Sequence, residues 1–199
     1  MRRKVLFKSV FMPTEESYRD FNQTWRYKLR ILYYVTIIIF SIFVLLGVIS
    51  RNYNFAFQIG CYDLVLMIVV LFTDHNIGNY KRLKVQSNNN VAPYETSFYD
   101  DNMIVQIGKN KQDYDYDLVK NIIDGDNLMI LKLQYRLGII VDKNSMDKKE
   151  VNKLKDFLLE KCNITSIPRV PSNIHILKLV AWICSFLGFC VSLVLFITK

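Results

Sequence analysis

Three apolar runs constrain this chain more than any other feature of its sequence. They cover residues 31–49, 55–73 and 179–197, and each has about 19 positions, close to the length that crosses the hydrocarbon core of a bilayer. Only Asp63 interrupts them. None has the polar stripe of a helix that packs in a globular core. The runs therefore predict three transmembrane helices, the first two forming a hairpin within residues 31–74.

The basic residues near these runs predict an orientation, because cytoplasmic loops carry an excess of Lys and Arg. Residues 50–54, between the first two runs, contain only Arg51, whereas the segments after the second run and before the third are again basic. We expect a multi-pass protein of a bacterial cytoplasmic membrane. Its N-terminus and middle segment would be cytoplasmic, and its C-terminus would lie outside.

The formal net charge of +8 is concentrated at the N-terminus, where residues 1–30 contain 8 basic and 3 acidic side chains. A juxtamembrane cationic segment suits anionic lipid headgroups. The middle segment lacks the basic patches with interleaved aromatic residues that nucleic-acid binding requires. We therefore expect membrane lipids as partners and no nucleic acid. The expected headgroup-binding residues are Arg2, Arg3, Lys4, Arg26, Lys28 and Arg30.

Residues 80–162 change to an alternating pattern. Short runs such as "YETSFY", "MIVQI", "YDYDLVKNII", "LMILKLQY" and "IIVD" are separated by clusters of Gly, Asn and Asp, which is typical of an antiparallel meander. A helical pattern follows, with Asn144 or Ser145 as its expected N-cap. Its apolar face comprises Val151, Leu154, Phe157 and Leu158. The segment predicts a small bent antiparallel sheet or barrel that is capped by a C-terminal helix.

The N-terminal segment, residues 1–30, resembles part of this sheet more than a tail. "KVLFKSVF" predicts a strand, and Thr14 is a plausible N-cap for a helix with Glu15 and Glu16 in its first turn. We expect this helix to continue directly into the first span. The membrane hairpin would then be an insertion between the first strand and the others, and residues 163–178 would link the sheet to the third span.

The order of these parts resembles the YcxB-like family of bacterial membrane proteins. The resemblance covers about residues 4–162 and rests on "EESYRDFN", the hairpin, "YETSFYDDNMIVQI", "YDYDLVKNIIDGDNLMILKL" and "EVNKLKDFLLEK". It implies a pleckstrin-homology-like domain, a bent barrel closed by a helix, and it brings no established activity or catalytic residues. The third span, after "IPRVPSN", departs from the family pattern. The expected fold class is therefore an α+β membrane protein with three transmembrane helices and this domain.

The stretch from Asp113 to Asp124 invites comparison with a calcium loop. Asp113, Asp115 and Asp117 occupy the first three ligand positions, but Leu118 stands where the sharp turn needs Gly, and Asp124 stands where a bidentate Glu is expected. In a strand, residues two apart share a face. We therefore interpret these three carboxylates as the exposed face of one strand and as a possible interaction surface, with no metal site.

Asp63 is the most costly residue of the apolar runs, because an ionised carboxylate at mid-span costs about 3 kcal/mol on insertion scales. One hypothesis makes it an intramembrane ion or proton site. The other makes it a structural residue that is hydrogen-bonded to Ser41, Ser50 or water.

The sequence contains no nucleophile elbow, phosphate-binding loop, dinucleotide fingerprint or zinc-protease motif. His75 and His175 are isolated, and the four cysteines show no metal-ligand spacing. We expect a non-enzymatic protein without a cofactor that docks a protein partner through its sheet. Two alternatives stay open: an immunity or self-protection protein against a membrane-active or secreted toxin, and an accessory subunit of a transporter.

Overall fold

The computed structural model describes residues 4–74, 78–87, 91–134 and 137–198. Arg2, Arg3 and His75 lie outside these residues. The chain forms two units. The sheet unit comprises Met1–Trp25 and Ile77–Val170, and the helical unit comprises Arg26–Asn76 and Pro171–Lys199.

Seven strands and six α-helices make up the described chain. In chain order they are β1 (Phe7–Phe11), α1 (Glu15–Trp25), α2 (Tyr27–Ile49), α3 (Tyr53–Asp74), α4 (Gly78–Gln86), β2 (Tyr94–Phe98), β3 (Asn102–Ile107), β4 (Asn110–Asp115), β5 (Val119–Asp124), β6 (Leu128–Leu133), β7 (Gly138–Asp142), α5 (Lys148–Lys161) and α6 (Ile174–Ile197).

The helical unit consists of α2, α3 and α6. Tyr27–Ile49, Tyr53–Phe72 and Ile174–Ile197 are long and apolar enough to cross a membrane, which agrees with the three predicted runs. Large apolar side chains cover its outside, and Phe72 and Ile197 are more than 70% exposed. This pattern is the one expected where lipid rather than water surrounds the helices.

The sheet unit contains two antiparallel sheets, ordered β1-β2-β3-β4 and β5-β6-β7. β1 pairs with β2 from Phe7↔Phe98 to Phe11↔Tyr94, so the hairpin of α2 and α3 is inserted between two paired strands, as expected. The Ser9 hydroxyl accepts a hydrogen bond from the Asp142 amide at 2.8 Å. This bond joins β1 to β7 and brings the two sheets together at one edge.

The core of the sheet unit lies between the two sheets and α5. Its fully buried side chains include Phe98, Met103, Ile122 and Met129. On α5, Val151, Leu154 and Leu158 are buried and Phe157 packs at the margin. The predicted apolar face of this helix is therefore confirmed, and it covers the core as a cap.

Two predicted helix starts have different outcomes. Thr14 does cap α1, because its hydroxyl accepts from the Ser17 amide at 3.1 Å. The predicted caps of α5, Asn144 and Ser145, are wrong. They lie in a 3-10 turn in which the Asp142 carboxylate accepts from the Asn144 amide, and Asp147 caps the helix instead.

The prediction that α1 continues into the first span is also wrong. A turn at Arg26 separates α1 from α2, and this break is the boundary between the two units. The Trp25 side chain explains the break, because it belongs to the sheet unit. Its ring lies 4.3 Å from the Lys132 ammonium, and the Lys132 ammonium donates to the Trp25 carbonyl.

Candidate functional site

The predicted acidic face is divided between two elements. Asp113 and Asp115 lie on β4, whereas Asp117 lies in a 3-10 turn, Tyr116–Leu118, that separates β4 from β5. The expectation of a single strand across 114–123 is therefore wrong. The chain leaves the first sheet at this turn and enters the second.

Tyr116 explains where the strand breaks. Its ring is buried against Phe157, edge to face at 5.5 Å between centroids. Its single hydroxyl hydrogen is shared between the carbonyl oxygens of Tyr99, 2.7 Å from the hydroxyl oxygen, and Asn102, 3.1 Å from it. These contacts fix the position of the turn. Buried and exposed side chains still alternate through it, so that Asp115 and Asp117, on either side of Tyr116, are exposed.

The acidic residues gather beside one edge of the sheet. In register, Asp115 pairs with Asn102, which directly follows Asp100 and Asp101. We call the exposed carboxylates of this region the acidic edge; its members are Asp100, Asp101, Asp113, Asp115 and Asp117. Within the described residues, β4 pairs only with β3, so its outer backbone edge meets no other strand.

The carboxylates of the acidic edge add to the effect of burial in raising the pKa of two neighbouring groups. Burial, and then the charge of Asp117, raise the pKa of the Cys162 thiol to about 11. Burial, with Asp100 and Asp101 adding to it, likewise raises the pKa of Tyr116. One member is partly neutralised, since Asp100 forms a 2.7 Å ion pair with Lys161. In the described part of the chain, no three His, Cys, Asp or Glu side chains are grouped so that they could hold a metal ion.

A buried ion-pair network lies at the other end of β5. The Asp124 side chain is 8% exposed and accepts from Lys143 at 2.9 Å and from Lys155 at 2.6 Å. Burial alone would raise the pKa of this carboxyl, but the two ammonium groups outweigh it and hold the pKa below its usual value. The network joins β5, the turn after β7 and α5.

The backbone of Asp124 also fixes the start of the segment predicted as a linker. Its amide donates to the Pro168 carbonyl at 3.0 Å, and its carbonyl accepts from the Val170 amide at 2.8 Å. Ile164 and Ile167 pack against the sheet core. Residues 163–170 therefore belong to the sheet unit, and the third long apolar helix, α6, already begins at Ile174.

Asp63 lies at the centre of the helical unit and is only 1% exposed. The Ser41 hydroxyl on α2 donates to Asp63 Oδ2 at 2.9 Å, as one of the two hypotheses expected, whereas Ser50 donates to the Leu46 and Gly47 carbonyls. The Ser185 hydroxyl on α6 faces the same carboxyl. Within the described residues, Asp63 Oδ1 and Ser185 Oγ have no partner in full hydrogen-bond geometry.

The basic residues expected to contact headgroups do not form one group. Lys4, Arg26 and Lys28 are exposed. Arg30 is only 5% exposed, and its guanidinium donates to the Tyr34 hydroxyl at 3.3 Å, one turn along α2. Arg30 therefore differs from the exposed cations, because its side chain packs inside the helical unit.

A comparison with known protein families finds a match, and it lies within the sheet unit. Residues 98–158 match the family model of the YcxB-like protein. The YcxB-like segment begins at the last residue of β2 and ends within α5, so it contains the acidic edge up to Asp117 and the whole Asp124 network. The family resemblance is confirmed for these residues. No curated protein and no solved structure matches the chain.

Sequence reasoning missed two features of these sites. The sequence pattern presents Asp124 only as an unsuitable calcium ligand, and it does not indicate Ser185 as a neighbour of Asp63. Lys143 and Lys155 follow Asp124 by 19 and 31 positions, so no local spacing indicates their contact. The signal that could have identified Asp124 was its place between two apolar strand runs, where an acidic side chain needs a partner.

Proposed function

We propose that this protein is a non-enzymatic, multi-pass protein of a bacterial cytoplasmic membrane that presents the sheet unit as an interaction module. The N-terminus and the sheet unit lie in the cytoplasm, and the C-terminus lies outside. The three apolar helices support insertion. The excess of Lys and Arg on the same side as the sheet unit supports the orientation.

The strand arrangement supports a pleckstrin-homology-like type for the module. Four strands form one sheet, three form the other, and α5, the next α-helix after the last strand, covers the core. The resemblance implies a bent barrel closed by a helix, and the bond between Ser9 and Asp142 closes the two sheets along one edge.

The observation that carries the proposed docking role is the acidic edge beside an open strand. An exposed strand edge offers unpaired N–H and C=O groups to an extended peptide, which can bind as an additional strand. Asp113 and Asp115 on β4 repel a second copy of the same edge, and they attract a partner that carries Lys or Arg. The proposed partner is therefore a different protein with a basic, extended segment.

Site-specific cross-linking in cells tests this role. A photoreactive amino acid replaces Gln112, an exposed residue of β4, and in a second strain it replaces Asn152, an exposed residue of α5. We expect one defined cross-linked protein from position 112 and none of it from position 152. The charge reversal Asp113→Lys with Asp115→Lys is expected to abolish that product.

The same double reversal has a matched control in Asp126→Lys with Asp156→Lys, which changes two exposed carboxylates elsewhere on the sheet unit. The control variant is expected to keep the product. Equal cross-linking from positions 112 and 152, or equal loss of product in both double variants, would refute docking at the acidic edge.

A further inference from the structure

α4 has two different sides. Tyr80 is half-buried, and its ring packs 5.5 Å from that of Tyr18 within an aromatic cluster of the sheet unit. Lys81, Arg82 and Lys84 are exposed, and Val85 is 76% exposed. Among the described side chains of α4, Tyr80 therefore packs on the sheet unit, whereas three basic side chains and Val85 are exposed.

The exposed side chains of α4 form one continuous surface. At about 100° per residue, the order around the helix is Lys84, Lys81, Val85 and Arg82, so that an exposed apolar side chain lies among three cations. We call these four residues the α4 face. Basic side chains combined with exposed apolar ones are typical of helices that lie at a membrane surface.

The charge of the α4 face is not compensated nearby. Residues 77–93 contain no Asp or Glu. Among the ion pairs of the described residues, none includes Lys81, Arg82 or Lys84. By contrast, Lys143 and Lys155 of the same unit are paired with Asp124. The α4 face thus offers positive charge to an external anionic partner.

The chain itself keeps α4 close to the end of a span. α3 ends at Asp74 and α4 begins at Gly78, and four residues extend at most about 14 Å. The headgroup layer of a bilayer is several Å thick, and an anionic surface attracts cations over about a Debye length, roughly 8 Å at physiological salt. With α3 inserted, α4 therefore begins within reach of the headgroups.

We propose that the α4 face binds the anionic phospholipid headgroups of the membrane that holds the three helices. The inference rests on the proposed function, because it requires α3 to be inserted. Three cations spread along one helix around an apolar residue fit an extended lipid surface better than a single phosphate ion. Binding would hold the sheet unit at the membrane through α4, independently of the acidic edge.

Native mass spectrometry of the full chain tests the proposal. Each variant is reconstituted in vesicles of phosphatidylglycerol and phosphatidylcholine, extracted, and scored for the ratio of the two lipids that stay bound. The test variant carries Lys81→Gln, Arg82→Gln and Lys84→Gln. Its matched control carries Lys148→Gln, Lys149→Gln and Lys153→Gln, which remove the same charge from exposed residues of α5.

We expect the wild type and the α5 control to retain phosphatidylglycerol preferentially. The α4 variant is expected to lose that preference by about tenfold or more, since each basic group near an anionic surface contributes about fivefold. Added inorganic phosphate is expected to leave the ratio unchanged. An unchanged ratio in the α4 variant, an equal loss in the α5 control, or competition by phosphate would overturn the proposal.

Extraction of the vesicles at alkaline pH separates this proposal from the one on which it rests. Chains that remain in the membrane pellet are inserted, whatever their lipid preference. If the wild type is released, the proposed membrane function fails. If every variant stays inserted and the α4 variant keeps its lipid preference, only the role of the α4 face fails.

Discussion

Asp124→Asn should destabilise the sheet unit strongly through a change of a few atoms. The substitution keeps the volume of the side chain but removes the charge that Lys143 and Lys155 share. Breaking a buried ion pair by removing one partner costs about 3–5 kcal/mol. Because the two lysine side chains are 15% and 25% exposed and can partly reach water, we expect the lower end, about 3 kcal/mol.

Hydrogen exchange of the full chain in detergent is the appropriate assay, because it reads the sheet unit separately from the helical unit. A loss of about 3 kcal/mol corresponds to roughly hundredfold faster exchange of amides that open only on unfolding. We expect this acceleration in β5, β6 and β7. The Val170 amide, which donates to the Asp124 carbonyl, should show it as well.

Asp126→Asn provides the matched control, since Asp126 is an exposed residue of the turn that follows β5 and such surface changes usually stay within about 0.5 kcal/mol. If Asp124→Asn accelerates exchange no more than Asp126→Asn does, the network contributes nothing measurable and the reasoning is refuted.

The pH dependence supplies a second check on the Asp124 network. The pKa of Asp124 is lower in the folded chain than its usual value, which is about 3.9 for an unfolded chain. The stabilisation that ionised Asp124 gives to the sheet unit is therefore complete above about pH 4. It is lost as the pH falls through the pKa that Asp124 has in the folded chain. The difference in stability between the wild type and Asp124→Asn should shrink on acidification over that window.

Three further outcomes follow from single contacts. Tyr116→Phe removes the single O–H donor that the carbonyls of Tyr99 and Asn102 share and should lower the free energy of unfolding by about 1–2 kcal/mol, measured by hydrogen exchange. Tyr114→Phe should change it by less than about 0.5 kcal/mol. The Cys162 thiol, with its pKa of about 11, should resist iodoacetamide at neutral pH until the chain is unfolded, as read by peptide mass spectrometry. Asp63→Leu should lower the midpoint of thermal unfolding of the helical unit more than Asp63→Asn, because only Asn retains the acceptor that joins α3 to Ser41 of α2. With Leu, the Ser41 hydroxyl keeps only the Ile37 carbonyl of its own helix. Equal midpoints would contradict this role of the carboxyl.

The three long apolar helices were predictable because their signal is local. A run of about 19 apolar residues specifies a span without reference to any distant part of the chain. All three helices start before the predicted runs, at Tyr27, Tyr53 and Ile174 instead of 31, 55 and 179, and the second ends at Phe72 instead of 73. Hydropathy marks where the apolar residues begin, whereas helical hydrogen bonding continues through the polar residues that precede them.

The break after β4 could not be predicted from alternation. Tyr114 and Tyr116 point inward and the aspartates point outward, which is the pattern of one continuous strand. The turn is specified by the two carbonyls that accept from the Tyr116 hydroxyl, and they belong to Tyr99 and Asn102. A pattern with a period of two residues contains no information about those distant partners.

Asp63 illustrates the same limit within the helical unit. Ser41 was a reasonable partner because a hairpin brings α2 beside α3, so that their polar residues are candidates for contact. The position of Ser185 depends on how α6 packs against α2 and α3. No short loop joins α6 to either of those helices, so the sequence does not determine that packing. The cost of a buried carboxylate could thus be predicted from sequence, but only one of its two neighbouring hydroxyls could be named.

The order of the elements imposes an order on folding. β1 contains Phe7 and Phe11, and Phe11 is fully buried in the finished sheet. The partner strand of β1, β2, follows the entire hairpin of α2 and α3 in the sequence. Ser9 of β1 accepts a hydrogen bond from the Asp142 amide, 133 positions away. The entropy of closing so long a loop rises only slowly with length, so length itself is a small obstacle. The decisive constraint is sequence order, because β1 is synthesised before the four helices that precede β2. Phe7 and Phe11 therefore have no partner strand until β2 has been synthesised.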